Sequence, residues 1–524
     1  MNKVIILLLM MGTIPSIWAQ QVGFMPPVHE NLDINMVDAR INSEGSLFWD
    51  LMSYPDFEVP KGSGRHTIFA SHLWMGAIDA NANIKISAQS YSQNGHDYGY
   101  GPISTPVNYD SSFNANWNRM WKITKNEVDY HILHWNDPMY QLPNSIADYP
   151  ANGDVSKGQD AILAPYQDVN ANNTYDPQNG DYPLIKGDMS VLFLINDMNC
   201  QHNETNGTPL GVQVLGTMYG FDTPNDSVLN HTVFLSYKIT NHSGSIYQDY
   251  KVGLWADLDL GFYADDYVGS DSAHNYFYIY NGDNYDEGAT GYGINPPAEA
   301  VLFLNHNMYS FVYYQNDWST IGNPQNPIHY YNYLNAKWKD GQGFVKNYMN
   351  GYPSTAAGAP TNYIFDGDVC NNIGWTEVAT NNHSADRRGL GIVNIPLLND
   401  NQSVEVDIAF VYAKGNSNIN SVCALQNNVS HLQNLYNGNA LANDYPSSFN
   451  YDKHFKVFPN PVENDLTLNF QDKNMHQVIL YDAVGHKLWQ ANNLQGESFI
   501  NMKKYLTGVY FLQVDNTLQR IVKH

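Results

Sequence analysis

The sequence is poor in basic residues and in cysteine. Lys and Arg total 26 against 51 Asp and Glu, so the 524-residue chain carries a formal charge of −25. This surplus of negative charge argues against nucleic acids and anionic membranes as partners and favours cationic ligands. The three cysteines, Cys200, Cys370 and Cys423, are widely spaced and form no metal-binding cluster. The spacing is compatible with one disulfide plus one buried thiol and with three buried thiols.

Common catalytic signatures are also missing. The chain has no H-E-x-x-H, no G-x-S-x-G and no phosphate-binding glycine-rich loop. His131 and His134 have the spacing of one helical face, but no third zinc ligand is identifiable nearby, so both are expected to be structural. The run Asp386, Arg387, Arg388 is expected to form ion pairs rather than a substrate clamp. Tryptophans such as Trp74 and Trp255 are expected to fill the core before they are available to stack on sugars.

A long apolar run occurs only at the N-terminus. Lys3 is followed by an apolar stretch from Val4 to Ile14 and a small-residue cleavage site ending at Ala19. This stretch is well short of the roughly 20 residues that span a bilayer. We therefore predict a signal peptide at residues 1–19, handled by the Sec translocon and signal peptidase, and no transmembrane segment in the mature chain.

Alternating apolar residues predict a mainly β body. Residues 20–185 are expected to form its N-terminal part, and residues 186–445 a central antiparallel β-sandwich with long loops. One helix is predicted from Asn418 to Asn437, because apolar residues there recur at three- and four-residue spacing. The predicted strands of the body are 67–70, 84–88, 191–195, 232–240, 250–257, 276–280, 301–304, 311–314 and 404–412.

Oxygen-bearing side chains at alternate positions predict a calcium loop. They are Asp168, Asn170, Asn172, Asp176 and Asp181, with Thr174 offering its carbonyl, and calcium takes six to eight oxygen ligands. The loop departs from the EF-hand pattern, because Asn173 stands at the glycine position and Asn179 at that of the bidentate glutamate. The alternative is an Asn/Asp turn held by hydrogen bonds between side chains and backbone.

A second acidic run follows a predicted strand and contains Asp257, Asp259, Asp265 and Asp266. Asp257 and Asp259 share one face at strand spacing. Carboxylates that close repel one another unless a cation or a shared proton intervenes. Three interpretations are left open: a calcium site, a solvated acidic loop, and the carboxylate pair of a glycoside hydrolase.

Residues 453–524 form a separate unit with strand–turn–strand patterning, which predicts a small antiparallel sandwich. The segments VFPNPVENDLTLNF, YDAVGHKLWQ, YLTGVYFLQV and QRIVKH resemble the type A C-terminal sorting domain of Bacteroidetes type IX secretion substrates. The matching positions are Pro459, Asn460, Pro461, Asp482, Gly485, Gly508 and Tyr510. The resemblance implies recognition by the outer-membrane translocon and export through the periplasm to the cell surface or the medium.

The body resembles uncharacterised secreted Bacteroidetes proteins that carry such tails. The resemblance rests on FEVPKGSGRHTIFASHLWMGAID, DVNANNTYDPQNGDYPLIKGD, DLDLGFYADDYVGSD and DRRGL, and it implies no known activity. The sequence predicts a calcium-supported binding, adhesion or scaffold protein with a glycan or protein ligand. The alternative is a secreted hydrolase of polysaccharide or peptide that uses the carboxylates after Asp257.

Overall fold

The structure is a computed structural model that describes residues 25–91, 95–105, 109–346, 350–353, 358–442, 455–470, 475–482, 486–514 and 517–524. It divides into two compact units, Met1–Asn443 and Asp444–His524, called here the body and the tail. The predicted signal peptide at residues 1–19 lies outside the described residues. No helix among the described residues has the length and apolar character needed to cross a membrane.

The body is built mainly from β-strands. In chain order they are β1 (His29–Leu32), β2 (Asp38–Asn42), β3 (Phe57–Glu58), β4 (Ala70–Ile78), β5 (Ile84–Ala88), β6 (Gly99–Tyr100), β7 (Trp121–Thr124), β8 (Tyr166–Gln167), β9 (Tyr182–Pro183), β10 (Met189–Asn196), β11 (Val212–Gly220), β12 (Thr232–Asn241), β13 (Tyr247–Leu258), β14 (Asp266–Asp271), β15 (Tyr276–Asn281), β16 (Tyr285–Asp286), β17 (Gly293–Ile294), β18 (Ala298–Phe303), β19 (Met308–Gln315), β20 (Phe344–Val345), β21 (Pro360–Thr361), β22 (Arg387–Leu398) and β23 (Ser403–Ala413).

Two antiparallel sheets contain the long strands. The larger has nine strands in the order β14-β15-β18-β23-β12-β11-β10-β6, with β7 also paired to β10. The smaller has five in the order β19-β22-β13-β4-β5. Strands that are distant in the chain, such as β12 and β23, lie side by side, as expected of a sandwich rather than a simple meander. The N-terminal part supplies β4 and β5 and therefore folds onto the same core.

One hydrophobic core contains buried side chains from both sheets, including Phe193 and Leu235 of the larger sheet and Trp255 of the smaller. Phe277 of β15 stacks on Phe311 of β19 with ring centroids 4.9 Å apart, so the two sheets contact each other through aromatic rings. A Cβ added at Gly391 of β22 would lie 2.6 Å from the Phe277 ring. Glycine at this position therefore makes room for the ring between the sheets.

The helices are α1 (Ser111–Trp117), α2 (Lys125–His134), α3 (Asn144–Ala147), α4 (Pro327–Leu334) and α5 (Asn418–Asn437). Helix α5 confirms the prediction for that segment, and its buried residues Val422, Leu425, Val429 and Leu432 pack on a second core with side chains of the larger sheet. Helix α4 was not predicted. Its Leu334 contacts the positions of Gly76 and Gly253 on the smaller sheet.

A disulfide joins Cys370 to Cys423, which lies in α5, and Cys200 is a free, partly buried thiol. This pairing is one of the two arrangements that the cysteine spacing left open. The bridge closes a separation of 53 residues and ties α5 to the loop that precedes β22. Disulfides of this kind are stable in oxidising compartments outside the cytosol.

The tail is a small antiparallel sandwich of its own. Its strands are β24 (Phe455–Phe458), β25 (Asp465–Phe470), β26 (His476–Asp482), β27 (Lys487–Leu494), β28 (Glu497–Asn501), β29 (Gly508–Val514) and β30 (Thr517–Lys523). They form sheets in the orders β24-β25-β28 and β27-β26-β29-β30 around a separate core that includes Leu468, Leu480 and Leu512. The predicted fold class, a β-sandwich body with one C-terminal helix and a small β-sandwich tail, is confirmed.

Candidate functional site

Three carboxylates meet at one end of the smaller sheet. Asp257, Asp259 and Asp386 each offer an oxygen, and these oxygens all lie within 4.8 Å of one another. Among the described residues this is the group of acidic, histidine and cysteine side chains whose spacing could hold a metal ion. We call these three residues the acidic cluster. Carboxylate oxygens are the ligands that calcium prefers.

Strand pairing brings the cluster together. Asp257 is the last residue but one of β13 and pairs with Arg388 of β22. Asp259 follows Asp257 by two residues. Successive strand side chains point to opposite faces, so Asp386 and Arg388 share a face while Arg387 points away. The cluster therefore draws on two neighbouring strands whose residues are far apart in the sequence.

One cation of the protein and one phenol already contact the cluster. Arg388 donates from Nη2 to Asp257 Oδ2 at 3.1 Å and to the Tyr91 hydroxyl at 2.7 Å, and its Nη1 donates to Asp386. Tyr91 in turn donates its hydroxyl to Asp257 Oδ2 at 2.5 Å. Asp386 Oδ2 accepts from the amide of Asn316 at 3.3 Å. These contacts hold two of the three carboxylates in place.

Oxygens of the cluster nevertheless lack partners. The side chain of Asp257 is only 3% exposed, and its Oδ1 is buried without a hydrogen bond, as is Oδ1 of Asp259. Burial raises the pKa of Asp257 against the opposing effect of Arg388, and burial together with the Asp257 charge raises the pKa of Asp259 well above its usual range. Buried unpaired anions are costly, so the cluster needs a bound cation or protons.

Arg387, on the opposite face, forms a separate buried ion pair. Its Nη2 donates to Glu377 Oε2 at 2.7 Å, and both side chains are 0% exposed. Glu377 also accepts from the backbone of Val268 at 2.8 Å and from Asn382 at 2.7 Å. The ion pairs expected for the Asp386–Arg388 run are thus present. Asp386 additionally belongs to the acidic cluster, a role that was not predicted.

Asp265 and Asp266 do not belong to the group of three. Asp266 begins β14, is fully buried, and accepts from the Leu260 backbone at 3.0 Å. Burial and the Glu287 carboxyl raise the pKa of Asp265 to about 7, and burial raises that of the nearby Asp286 to about 6. Burial and the charge of Asp265 raise the pKa of Asp266 well above its usual range. These acids form a second, adjoining patch with raised pKa values.

The predicted calcium loop at residues 168–181 folds around its own polar groups. Asp168 accepts from the backbone of Asn172 at 3.2 Å and of Asn173 at 2.7 Å. The side-chain amides of Asn170 and Asn172 donate to the Asp176 carboxylate at 3.1 Å and 3.0 Å. Burial raises the pKa of Asp176, but such hydrogen bonds together outweigh it and hold this pKa below its ordinary value.

The end of this loop is anchored by a buried carboxylate. Asp181 is 0% exposed and accepts from the backbone of Val169 at 2.8 Å and of Asp176 at 2.9 Å. Burial raises the pKa of Asp181 to about 6 despite those two hydrogen bonds. Asn173 has a φ of 60°, the left-handed conformation that asparagine tolerates. Thr174 donates its backbone N–H to the Asn172 side chain at 2.7 Å, so Thr174 too lies within the turn.

The two histidines of the H-x-x-H sequence bind different partners. His131 is buried, and its ring contacts the Tyr140 hydroxyl at 2.7 Å and the Asp181 carbonyl at 2.9 Å. His134 lies on the surface and contacts Asp137 at 2.7 Å. His131 therefore links α2 to the end of the 168–181 loop, as expected of a structural histidine.

The tryptophans divide between core and surface. Trp74 and Trp255 are 0% exposed and stack on each other with ring centroids 6.4 Å apart, in agreement with the expectation that core tryptophans predominate. Trp318, which the sequence did not single out, is 71% exposed. Its loop follows β19 and includes Asn316, the partner of Asp386. No periodicity marks this residue, because it lies outside a strand.

The positions of the sorting motif lie on the tail sandwich. Pro459, Asn460 and Pro461 occupy the turn between β24 and β25, and the Asn460 side chain accepts from the backbone of Val522 at 2.8 Å. Asp482 of β26 pairs with Tyr510 of β29, and Gly508 opens β29. The Gly485 prediction lies outside the described residues.

Residues 456–524 match the secretion system C-terminal sorting domain family. No curated protein matches the chain. One solved structure that does match is described as a polysaccharide lyase, with 8% identity and a TM-score of 0.20 over 64% of this chain and 35% of the lyase. This chain thus spans about a third of the lyase's length, and so low a TM-score carries no argument about function.

The tail therefore defines the protein as an exported one. The matched residues place the sorting domain at the end of the chain, where the sequence resemblance located it. The protein is a type IX secretion substrate that is delivered to the cell surface or the extracellular space, and the type IX translocon is its export partner.

Proposed function

We propose that the body is a non-enzymatic, calcium-supported binding protein of the cell surface or the medium. The observation that carries this proposal is the acidic cluster, in which three carboxylate oxygens lie within 4.8 Å of one another. Asp257, Asp259 and Asp386 would hold the cation. Calcium, when bound, supplies charge neutralisation and fixes the loops that carry its ligands.

Charge counting supports a divalent ion. Three carboxylates and the guanidinium of Arg388 sum to −3 + 1 = −2 if all are ionised. One divalent cation makes the sum zero, whereas one proton or one monovalent cation leaves it at −1. The unpartnered Oδ1 atoms of Asp257 and Asp259 are free to accept a metal. Asp386 can keep its ion pair with Arg388, because each carboxylate oxygen has a second lone pair.

The 168–181 loop is the second candidate for calcium. Its polar side chains already converge, since Asn170, Asn172 and Asn179 all donate to Asp176. A cation at this point would require those amides to turn and present oxygen instead of nitrogen. The loop therefore supports the proposal less directly than the acidic cluster does.

The alternative of a glycoside hydrolase is weaker on the same geometry. Carboxylates of such enzymes stand about 5 to 9.5 Å apart, with the substrate or a water molecule between them. The closest oxygens of the acidic cluster lie within 4.8 Å of one another, so they do not leave the wider gap that an inverting enzyme keeps for a water molecule. Asp257 is also held by Arg388 and Tyr91 and is nearly inaccessible. A secreted hydrolase that uses Asp257 and Asp259 remains only the second candidate.

Thermal unfolding with calcium and after chelation tests the proposal. Binding to the native state alone stabilises it by about 2.7 kcal/mol at a hundredfold excess over the dissociation constant. We expect calcium to raise the melting temperature of the purified mature protein, and Asp386→Asn to abolish most of that rise. Asp400→Asn is the matched control, because Asp400 is a partly exposed acid and the amide retains an oxygen that can accept from the Gly244 backbone. An equal calcium response in the two variants would contradict the assignment to the acidic cluster.

The export route has its own test. We propose that the chain reaches the periplasm through the Sec translocon and loses residues 1–19 to signal peptidase. Deleting residues 453–524 should then leave the body in the periplasm, because the sorting domain is what the type IX translocon recognises. Cell fractionation with an antibody against the body measures this. Normal amounts of truncated protein on the surface or in the medium would refute the dependence on the tail.

A further inference from the structure

An exposed tryptophan lies two residues from Asn316, which contacts the acidic cluster. Trp318 is 71% exposed, whereas Trp49, Trp74, Trp255 and Trp338 are among the largest fully buried side chains. A tryptophan left in water forgoes the burial that usually stabilises this side chain. Exposed single residues are common, however, and Trp318 alone would carry no inference.

The loop that carries Trp318 is fastened to the acidic cluster. At the end of β19, Gln315 pairs with Arg387, which brings Asn316 opposite Asp386. Asn316 then donates its amide to Asp386 Oδ2 at 3.3 Å and accepts from the Asn323 side chain at 2.9 Å. The tryptophan is two residues from the residue that contacts the cluster.

Hydrogen bonds to its backbone hold the same loop in place. Lys339 is only 6% exposed, and its ammonium donates to the carbonyls of Asn323 at 2.9 Å and Trp318 at 3.4 Å. Asp317 closes the turn by accepting the Ser319 N–H at 2.8 Å. The indole is thus displayed on a fixed backbone, and ordering it on binding costs little conformational entropy.

The acidic cluster is not fully closed to solvent. Asp259 is partly buried and the Asp386 side chain is 25% exposed, in contrast to the 3% of Asp257. Calcium takes six to eight oxygens, and three carboxylates supply at most six, with Oδ1 of Asp386 engaged by Arg388 and Oδ2 of Asp257 by both Arg388 and Tyr91. Coordination positions are therefore left for oxygens from outside the cluster.

We propose that the acidic cluster and Trp318 together form a binding site for a neutral glycan. The inference rests on the proposed function and adds the ligand class to it. Paired sugar hydroxyls are neutral oxygen ligands that would complete the coordination of the cation, and the apolar face of a sugar ring stacks on an indole. A neutral ligand suits the site, because the cluster with Arg388 and a divalent cation has no net charge.

Affinity gel electrophoresis of the mature protein tests the inference. The probes are mannan, xylan, galactan and hydroxyethylcellulose, each used with calcium and with chelator. We expect at least one polysaccharide to retard the wild-type protein with calcium only, and Trp318→Ala to weaken that retardation at least tenfold. Trp318→Phe should restore part of it. Tyr130→Ala removes an aromatic side chain that is 54% exposed on α2 and serves as the matched control.

Melting temperatures of the same samples separate the two proposals. Trp318→Ala should keep the full calcium-dependent rise in melting temperature, while Asp386→Asn should lose both that rise and the retardation. Four results would overturn the glycan site: no retardation by any probe, retardation that survives chelation, equal retardation of wild type and Trp318→Ala, or loss of retardation in Tyr130→Ala. A calcium-dependent rise in melting temperature without retardation would contradict only the glycan site and would still support the proposed function.

Discussion

The 168–181 loop and the acidic cluster are both rich in aspartate, but their carboxylates find partners in different ways. In the loop, Asp168 and Asp181 accept backbone N–H groups on both oxygens. In the cluster, one oxygen each of Asp257 and Asp259 is buried with no partner. The loop can therefore exist as a hydrogen-bonded turn, whereas the cluster is complete only with a cation or with protons.

This difference follows from how the two sites are assembled. A loop of consecutive residues can bend until its own amides reach its carboxylates, as Asn/Asp turns do. Asp257 of the cluster is fixed by the ladder between β13 and β22. The amide of Asn316 reaches Asp386 but leaves Oδ1 of Asp257 and Oδ1 of Asp259 without a donor. Convergent acids on a rigid scaffold are therefore the better indication of a metal than a larger number of acids in a flexible loop.

Removing Arg388 should have the largest effect on the difference in stability between the acidic cluster and the 168–181 loop. Its side chain is 5% exposed and contacts two members of the cluster, and breaking a buried ion pair costs about 3–5 kcal/mol. We expect Arg388→Met to lower the melting temperature strongly after chelation and much less with calcium, because the cation would then offset two of the three carboxylate charges. Differential scanning calorimetry measures both conditions.

Arg40→Met is the matched control for that variant. Arg40 pairs with Asp56 at 3.5 Å, but its side chain is 15% exposed and that of Asp56 is 38% exposed. Such pairs contribute about 0–1 kcal/mol, and calcium should not alter the effect of losing one. If Arg388→Met were no more responsive to calcium than Arg40→Met, the cluster would not be the cation site.

The sequence predicted the loop better than the cluster. Consecutive ligands such as Asp168, Asn170 and Asn172 are visible as a spacing, and the geometry of a turn follows from local chemistry. Asp386 lies 386 − 259 = 127 residues after Asp259, and only the pairing of β22 with β13 brings them together. Sequence proximity instead suggested Asp265 and Asp266, which the start of β14 directs elsewhere.

Prediction of the fold from the sequence is limited in the same way, because contacts between distant segments are not visible in it. Strong alternation and the apolar spacing of α5 were sufficient to predict many strands of the sandwich and that helix. Strands β11 and β22, which are internal to the two sheets, were not predicted. Helix α4 was missed, since it has only eight residues and is rich in tyrosine, which also suits strands. The exposure of Trp318 could not be predicted either, because burial depends on which elements pack over a loop and not on the loop's own residues.

A pH effect is expected next in size, and it tests the patch of acids around Asp265 that adjoins the acidic cluster. In the unfolded chain an aspartate has a pKa of about 3.9, whereas the folded-state pKa is about 7 for Asp265 and about 6 for Asp286. The folded protein thus binds more protons between these values, and stability falls as pH rises. In metal-free buffer we expect a higher melting temperature at about pH 5 than at about pH 8, with the loss complete once the pH has passed the folded pKa of about 7.

Substitution of Asp265 tests the assignment of that pH effect. Asp265→Asn removes the group with the raised pKa, so its melting temperature should fall less between the two pH values than that of the wild type. Asp181 has a pKa of about 6 and adds a smaller contribution with the same sign, which Asp265→Asn would leave in place. A wild-type melting temperature that rises over this pH range would contradict the protonated state of the buried acids.

The smallest expected effect tests whether the loop owes its stability to hydrogen bonds. Asp181→Asn places an amide N–H against the backbone N–H of Val169 or Asp176, and an unsatisfied buried donor costs about 1–3 kcal/mol. Asp168→Asn makes the same chemical change where the carboxylate is only partly buried, so water can take over and the cost should stay below about 0.5 kcal/mol. Chelated protein is the right sample for both, since calcium would add a charge effect to each variant. Equal losses of stability in the two variants would mean that the burial of Asp181 does not determine how much its hydrogen bonds stabilise the loop. A calcium site in the loop would then again be the simpler explanation of its sequence.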